Sequence, residues 1–211
     1  MRRLESAYIS AHQRVSDLVA SAPEQANDLV PACPDWRVRD VVAHVTGVCH
    51  DILTGNLAGA ASDPWTEAQV AARRDVSLDE LLAEWAEAAP PVAAMLDDFP
   101  EPYGRQVIGD VTVHEHDIRG ALHQPGARDS EALGIGLDFL SAELAVPGAA
   151  ALGLDPLDRV LSVDDFELFR ALSGRRSAAQ IKAYDWRVDP EPYLPVFGLG
   201  PFTMRATELV E

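Results

Sequence analysis

Apolar residues recur along most of the chain at the three-and-four spacing of amphipathic helices, and the breaks between these stretches set its organisation. Leu4, Tyr8, Val15, Leu18 and Val19 share a face across residues 3–21, and Pro23 lies at or just past the end of that predicted helix. Residues 22–35, with Pro31 and Pro34, read as a loop. Val38, Val41, Val42, Val45, Val48, Cys49 and Ile52 form one stripe with a period of about 3.6 rather than about 2. This predicts a second helix over about 38–53, ending at Gly55. The weakly patterned stretch 55–76 is expected to be a loop with a short helix, in which Trp65 is a structural residue or a pocket wall. Ser77-Leu78-Asp79-Glu80 is a capping box that opens a third helix carrying Leu81, Leu82, Trp85, Ala88 and Ala89. Pro90-Pro91 is expected to kink or break it before Val92, Met95, Leu96 and Phe99 resume the face. A fourth predicted helix, about 106–123, has Val107, Val111, Ile118 and Leu122 on its apolar side.

Ser130 caps a fifth predicted helix, 130–146, with Leu133, Leu137, Leu140 and Leu144. Gly, Pro and Ala dominate 147–160, which reads as a linker. Asp164 or Asp165 caps a short helix, 166–172, and Ser177-Ala178-Ala179-Gln180 opens another over 178–186. From Val188 onward, Pro190, Pro192, Pro195 and Pro201 predict an irregular tail. The pattern is all-α. Residues 1–147 form a bundle of four long helices, and 148–211 form a C-terminal helical hairpin and irregular tail packed on it.

Composition narrows the partners. The chain has 211 residues, enough for one domain or a main domain with an appendage. Lys+Arg total 17 against 34 for Asp+Glu, a formal charge of −17, which argues against nucleic acid and anionic membrane as partners. No apolar run approaches the ~20 residues of a membrane span, and the start of the chain lacks the apolar segment of a signal peptide. Cys33 and Cys49 are too few for a disulfide scaffold or a zinc knuckle and fit a reducing cytoplasm. A monomer and a homodimer are equally compatible with the pattern.

The candidate chemistry lies in Gly109-Asp110-Val111-Thr112-Val113-His114-Glu115-His116-Asp117. Asp110 and His114 are one helical turn apart, so their side chains stack on one face and can grip one cation. The same spacing equally suits a helix-start carboxylate and a surface histidine. Asp117 continues the line, whereas Glu115 and His116 point elsewhere. A third donor is needed, and His44 is the best placed, at the boundary of the valine stripe. His50 and Asp51 read as solvated, His12 as a residue at the core edge, and His123 as a residue following its helix. Arg73, Arg74 and Arg105 are surface charges or contacts for an acidic substrate.

Around Cys33-Pro34-Asp35-Trp36-Arg37-Val38-Arg39-Asp40-Val41-Val42-Ala43-His44 the chain resembles the mycothiol-dependent maleylpyruvate isomerase family, relatives of the DinB-like metal-binding four-helix bundles. Asp110 through Asp117 is a second matching stretch. Phe166 through Ser177, continuing by Gln180 to Trp186, is a third. The resemblance implies a metal held by His44, Asp110 and His114, with Asp117 orienting a ligand or anchoring its helix. The family usually has glutamate where Asp110 stands, so a helix shift or a bridging water is expected to make up the missing methylene. It commonly has Thr or Ser where Arg37 stands, and Arg37 cannot cap in that way.

Two histidines and a carboxylate leave an open coordination position, the pattern of catalytic rather than structural zinc; the same set suits Fe(II) oxygen chemistry. The resemblance implies a divalent metal, most simply zinc, with mycothiol as thiol cosubstrate and a small electrophile as substrate. Either the thiol adduct is the product, making a transferase, or thiol addition allows rotation about a cis double bond, making an isomerase; the transferase is preferred. The alternatives are a non-enzymatic metal-binding or stress-associated bundle and a bundle that has lost its metal.

Overall fold

The computed structural model describes residues 2–211. They fall into two compact units, one running to Gly126 and taking in Glu211, the other Ala127–Val210.

The first unit is the four-helix bundle that the apolar periodicity predicts. Its long helices are α1 (Arg3–Ala20), α2 (Val38–Thr54), α4 (Leu78–Leu96) and α5 (Tyr103–Ala121), with a shorter α3 (Asp63–Ala72) between α2 and α4. Helices α1 and α2 each pack against both α4 and α5, and α3 lies on α2. Tyr8, Val15, Val41, Val45, Leu81, Trp85, Ile108 and Ile118 are buried and fill the core. Ser77 caps α4: its Oγ accepts from the Glu80 N–H while Glu80 accepts from the Ser77 N–H. At the start of α2 only half of such a box exists. Asp40 accepts from the Arg37 N–H at 2.9 Å, and a guanidinium has no acceptor to complete it.

Two expectations need correction here. Helix α4 runs unbroken through Pro90 and Pro91. Both prolines and the carbonyl-bearing residues one turn before them, Ala86 and Glu87, face solvent, so the carbonyls that lose their N–H partners can be hydrated. The segment 22–35 is not simply a loop. Leu29–Val30 (β1) pairs antiparallel with Cys33–Arg37 (β2) in a tight ribbon leading straight into α2.

In the second unit, α6 (Glu131–Leu140), a π-turn (Ser141–Ala145) and α7 (Val146–Ala151) form one helical run that extends into the stretch read as a linker. By length and composition this run could cross a membrane, at a mean hydropathy of 1.3, contrary to the expectation of no such stretch. Its residues Leu133, Ile135, Leu140 and Ala149 are buried, and α6 packs on a later helix, α9 (Asp165–Leu172); a core helix passes the same test. After α8 (Leu157–Val160), α9 and α10 (Ala178–Lys182) make the expected hairpin around Gly174, whose φ of +75° suits glycine. Helix α10 stops short of 186. Asp185–Trp186 instead pairs with Leu161–Ser162 as a second antiparallel ribbon, and the Trp186 indole donates to the Ile181 carbonyl at 2.8 Å. Within the tail, Glu191–Gly198 winds into a 3₁₀ segment.

Candidate metal centre

Helix α5 is deeply enclosed, and almost every residue from Ile108 to Ile118 is buried. The exception is Asp110, whose side chain is about one-third exposed. Burying polar residues in such numbers requires partners. Glu115, fully buried, is gripped by the Arg14 guanidinium at 2.7 and 2.8 Å and by Arg119 at 3.0 and 3.1 Å. This double clamp ties α5 to α1 and fixes its rotation, which aims Asp110 and His114 at α2.

His44 comes from α2 to meet them. Its Nε2 lies 3.5 Å from Asp110 Oδ1, and His114 Nε2 lies 3.7 Å from the same oxygen. The two imidazoles meet edge to face with centroids 4.9 Å apart. One donor atom from each of the three residues falls within 4.8 Å of the others.

The far edges of both rings are held. His44 Nδ1 lies 2.7 Å from Gln69 Oε1, and Gln69 Nε2 in turn donates to Asp51 Oδ2 at 2.7 Å. Because the Gln69 amide spends its N–H on Asp51, its oxygen faces the ring, and His44 Nδ1 carries the proton. His114 Nδ1 lies 3.1 Å from Asp117 Oδ2, an arrangement that likewise places the proton on Nδ1. Both Nε2 lone pairs therefore point toward Asp110. Burial pushes the His114 imidazole below the ordinary histidine range, against the raising pull of Asp117 and Asp110. It is neutral at pH 7, so its approaches to carboxylates are polar contacts rather than ion pairs.

A four-coordinate zinc with bonds of about 2.0–2.2 Å needs donor atoms roughly 3.3–3.6 Å apart. The two histidine-to-Asp110 separations, 3.5 and 3.7 Å, lie near the upper end of that spacing. The donor chemistry and the braced ring edges fit a divalent cation. The shorter arm of Asp110 places Oδ1 within 3.7 Å of both Nε2 atoms.

Trp36, carried by β2, covers the rings. It stacks on His114 at 5.8 Å between centroids, with planes 29° apart, and tilts against His44 at 5.2 Å. Cys33, three residues earlier on the same strand, donates its thiol to Asp117 Oδ2 at 3.3 Å. Cys49 lies apart, buried against the Tyr8 hydroxyl at 2.9 Å, and burial pushes its thiol up to about 11.

Several residues differ from their sequence reading. Asp51 is buried, because α3 covers the side of α2 that periodicity left open, and it accepts from Gln69 and Asn56. His50 is exposed, as expected. Arg73 is buried and forked onto Glu84 at 2.5–3.2 Å, so it is not a surface charge. Arg74 is exposed, Arg105 pairs with Glu101 at 2.8 Å, and His12 packs edge-on against Trp85. Trp65 ties its segment to the Asn56 carbonyl at 3.0 Å. Gln69 went unnoticed because it lies in a stretch without pattern. Its one signal is indirect: a Cβ on Gly47 would come within 2.5 Å of Gln69 Cβ, so a glycine in mid-α2 marks where α3 approaches.

Residues 9–123, more than half of the chain and including all three donors, match the family described as mycothiol maleylpyruvate isomerase N-terminal domain. Neither curated proteins nor solved structures give a match.

Proposed function

Because this chain belongs to the mycothiol maleylpyruvate isomerase N-terminal domain family, we propose that it is a metal-dependent enzyme that directs a low-molecular-weight thiol, mycothiol, onto a small electrophile. The observation that carries the reading is the convergence of His44, Asp110 and His114 from two helices, with both imidazoles braced at Nδ1. These three residues are the ligands. A divalent cation held by them, zinc in the first instance, supplies Lewis acidity that lowers the pKa of a thiol at the open coordination position.

The chain's own residues do the rest. Two imidazoles and a single carboxylate bring at most one negative charge to a divalent cation, so the donor set leaves net positive charge to favour a thiolate. Gln69 and Asp117 hold the ring orientations. Trp36 keeps water off the ring faces on its side. The protein's own thiols do not compete as nucleophiles: Cys49 is buried and protonated through neutral pH, and Cys33 donates to Asp117. The thiol sulfur forms a bond to an electrophilic carbon, and the displaced electron pair takes a proton or leaves with its group. Release of the adduct makes the protein an S-transferase, which is the reading preferred here. Rotation and loss of the thiol would make it an isomerase.

The test is a conjugation assay with mycothiol and an electrophilic aromatic or conjugated acid, with glutathione as control, on wild type and His114→Ala. Mycothiol-dependent turnover that disappears with the metal in His114→Ala supports the proposal. A fully metal-loaded protein without thiol-dependent turnover on a panel of electrophiles favours a metal-binding protein that is not an enzyme.

A further inference from the structure

His114 presents donors on both edges of its ring. The Nε2 edge faces Asp110 and His44. The Nδ1 edge faces a different group: Asp117 Oδ2 at 3.1 Å, which also takes the Cys33 thiol at 3.3 Å. Cys33, Asp117 and His114 each offer a donor atom within 4.8 Å of the others. We propose that these three residues form a second, thiophilic cation site that alternates with the His44–Asp110–His114 set.

The donor chemistry selects the ion. A thiolate with an imidazole and one carboxylate suits Zn²⁺ or Cd²⁺ and discriminates against Mg²⁺ and Ca²⁺, which want oxygen donors throughout. Asp117 is fully buried and His114 nearly so, whereas Cys33 is only half-buried, so the thiol marks the side of entry. The donors come from the β1–β2 ribbon and from α5, both in the first unit.

Alternation follows from the ring itself. A neutral imidazole has one lone pair. When it points from Nε2 it serves the first set and Nδ1–H is donated to Asp117. When a cation takes Nδ1, the ring proton resides on Nε2, facing Asp110 Oδ1 at 3.7 Å. Binding at the second set releases one proton to solvent, that of the Cys33 thiol, as the sulfur–metal bond forms. A thiophilic ion therefore withdraws His114 from the first set. The thiolate site does not depend on the function proposed above; only its alternation does.

The experiment titrates cadmium into the metal-stripped full chain and follows the ultraviolet thiolate-to-cadmium charge-transfer band. Wild type, Cys33→Ser, Cys49→Ser, Asp110→Ala and Asp117→Asn are compared, each checked for helical content by circular dichroism. The band is expected in wild type, Cys49→Ser and Asp110→Ala, and absent in Cys33→Ser. Asp117→Asn is expected to weaken cadmium binding at least tenfold. Equilibrium dialysis at saturation is expected to give one ion per wild-type chain, and Cys33→Ser is expected to retain one ion without the band. A band that survives in Cys33→Ser or vanishes in Cys49→Ser overturns the site. Loss of the band in Asp110→Ala also overturns it, because Cys33 would then be a fourth donor of the first set. Two ions per wild-type chain overturn the alternation. A Cys33→Ser chain that binds no cadmium, beside a wild type that shows the band, supports the thiolate site and overturns the function proposed above.

Discussion

Gln69 tests the site at the scale of a single side chain. It is the acceptor that fixes the His44 tautomer, and it contacts no reacting atom. Truncation in Gln69→Ala leaves the His44 Nδ1–H buried without its acceptor, a loss of about 1–3 kcal/mol in stability. Metal affinity is expected to fall about 10–100-fold, as for other residues that orient a ligand from behind. Isothermal titration with zinc reads the second effect separately from thermal unfolding, and an unchanged affinity would remove Gln69 from the account. Gly47→Ala should act in the same direction by pushing Gln69 away. The convergence of His44, Asp110 and His114 was legible in the sequence, because a helical turn and a family motif place them together. Gln69 and the pairing of Cys33 with Asp117 were not, because each joins positions far apart in the chain with no local period to announce them. Asp51 was misread for a related reason. Periodicity identifies the face that a helix turns to its main partners, not a second face covered by a short neighbour such as α3.

Helix α4 carries the clearest lesson at the scale of elements. Two adjacent prolines read as a break, yet the surrounding apolar face of Leu81, Trp85, Ala89, Val92 and Leu96 is buried continuously and holds the helix together. Packing overrides the local signal, and solvent takes up the freed carbonyls. The double substitution Pro90→Ala/Pro91→Ala is expected to raise unfolding stability, by roughly 1–3 kcal/mol per site less what the prolines contribute by restricting the unfolded chain. Thermal denaturation would show it, and a lowered midpoint would contradict the argument. The β1–β2 ribbon escaped notice because two short strands beside prolines leave no alternating pattern. In the second unit, Arg176 forks onto Glu167 at 2.7 and 2.8 Å and holds that carboxyl below the usual glutamate range. A depressed folded pKa means that the interaction's stability is fully present above the unfolded value of 4.5 and is lost as pH falls through the folded value. Acid unfolding followed by circular dichroism is expected to show this loss below about pH 4.5. Glu167→Gln should be less stable at neutral pH and should show a shallower acid dependence; an unchanged dependence would sink the assignment.

For the whole molecule, periodicity and charge set the class well. Apolar stripes at helical spacing produce the bundle, and the family match covers its core and all three donors. The second unit was less legible, because its later helices are short and its two-residue strands pair over sequence distance. The central claim is that His44, Asp110 and His114 hold one metal in the cleft between α2 and α5. The most direct test is calorimetric titration of zinc into stripped wild type, Asp110→Glu and Asp110→Ala. The account predicts one site per wild-type chain, affinity kept or raised by the longer glutamate, and affinity lowered at least tenfold by alanine. Three indistinguishable affinities would mean that Asp110 is no ligand and would contradict it.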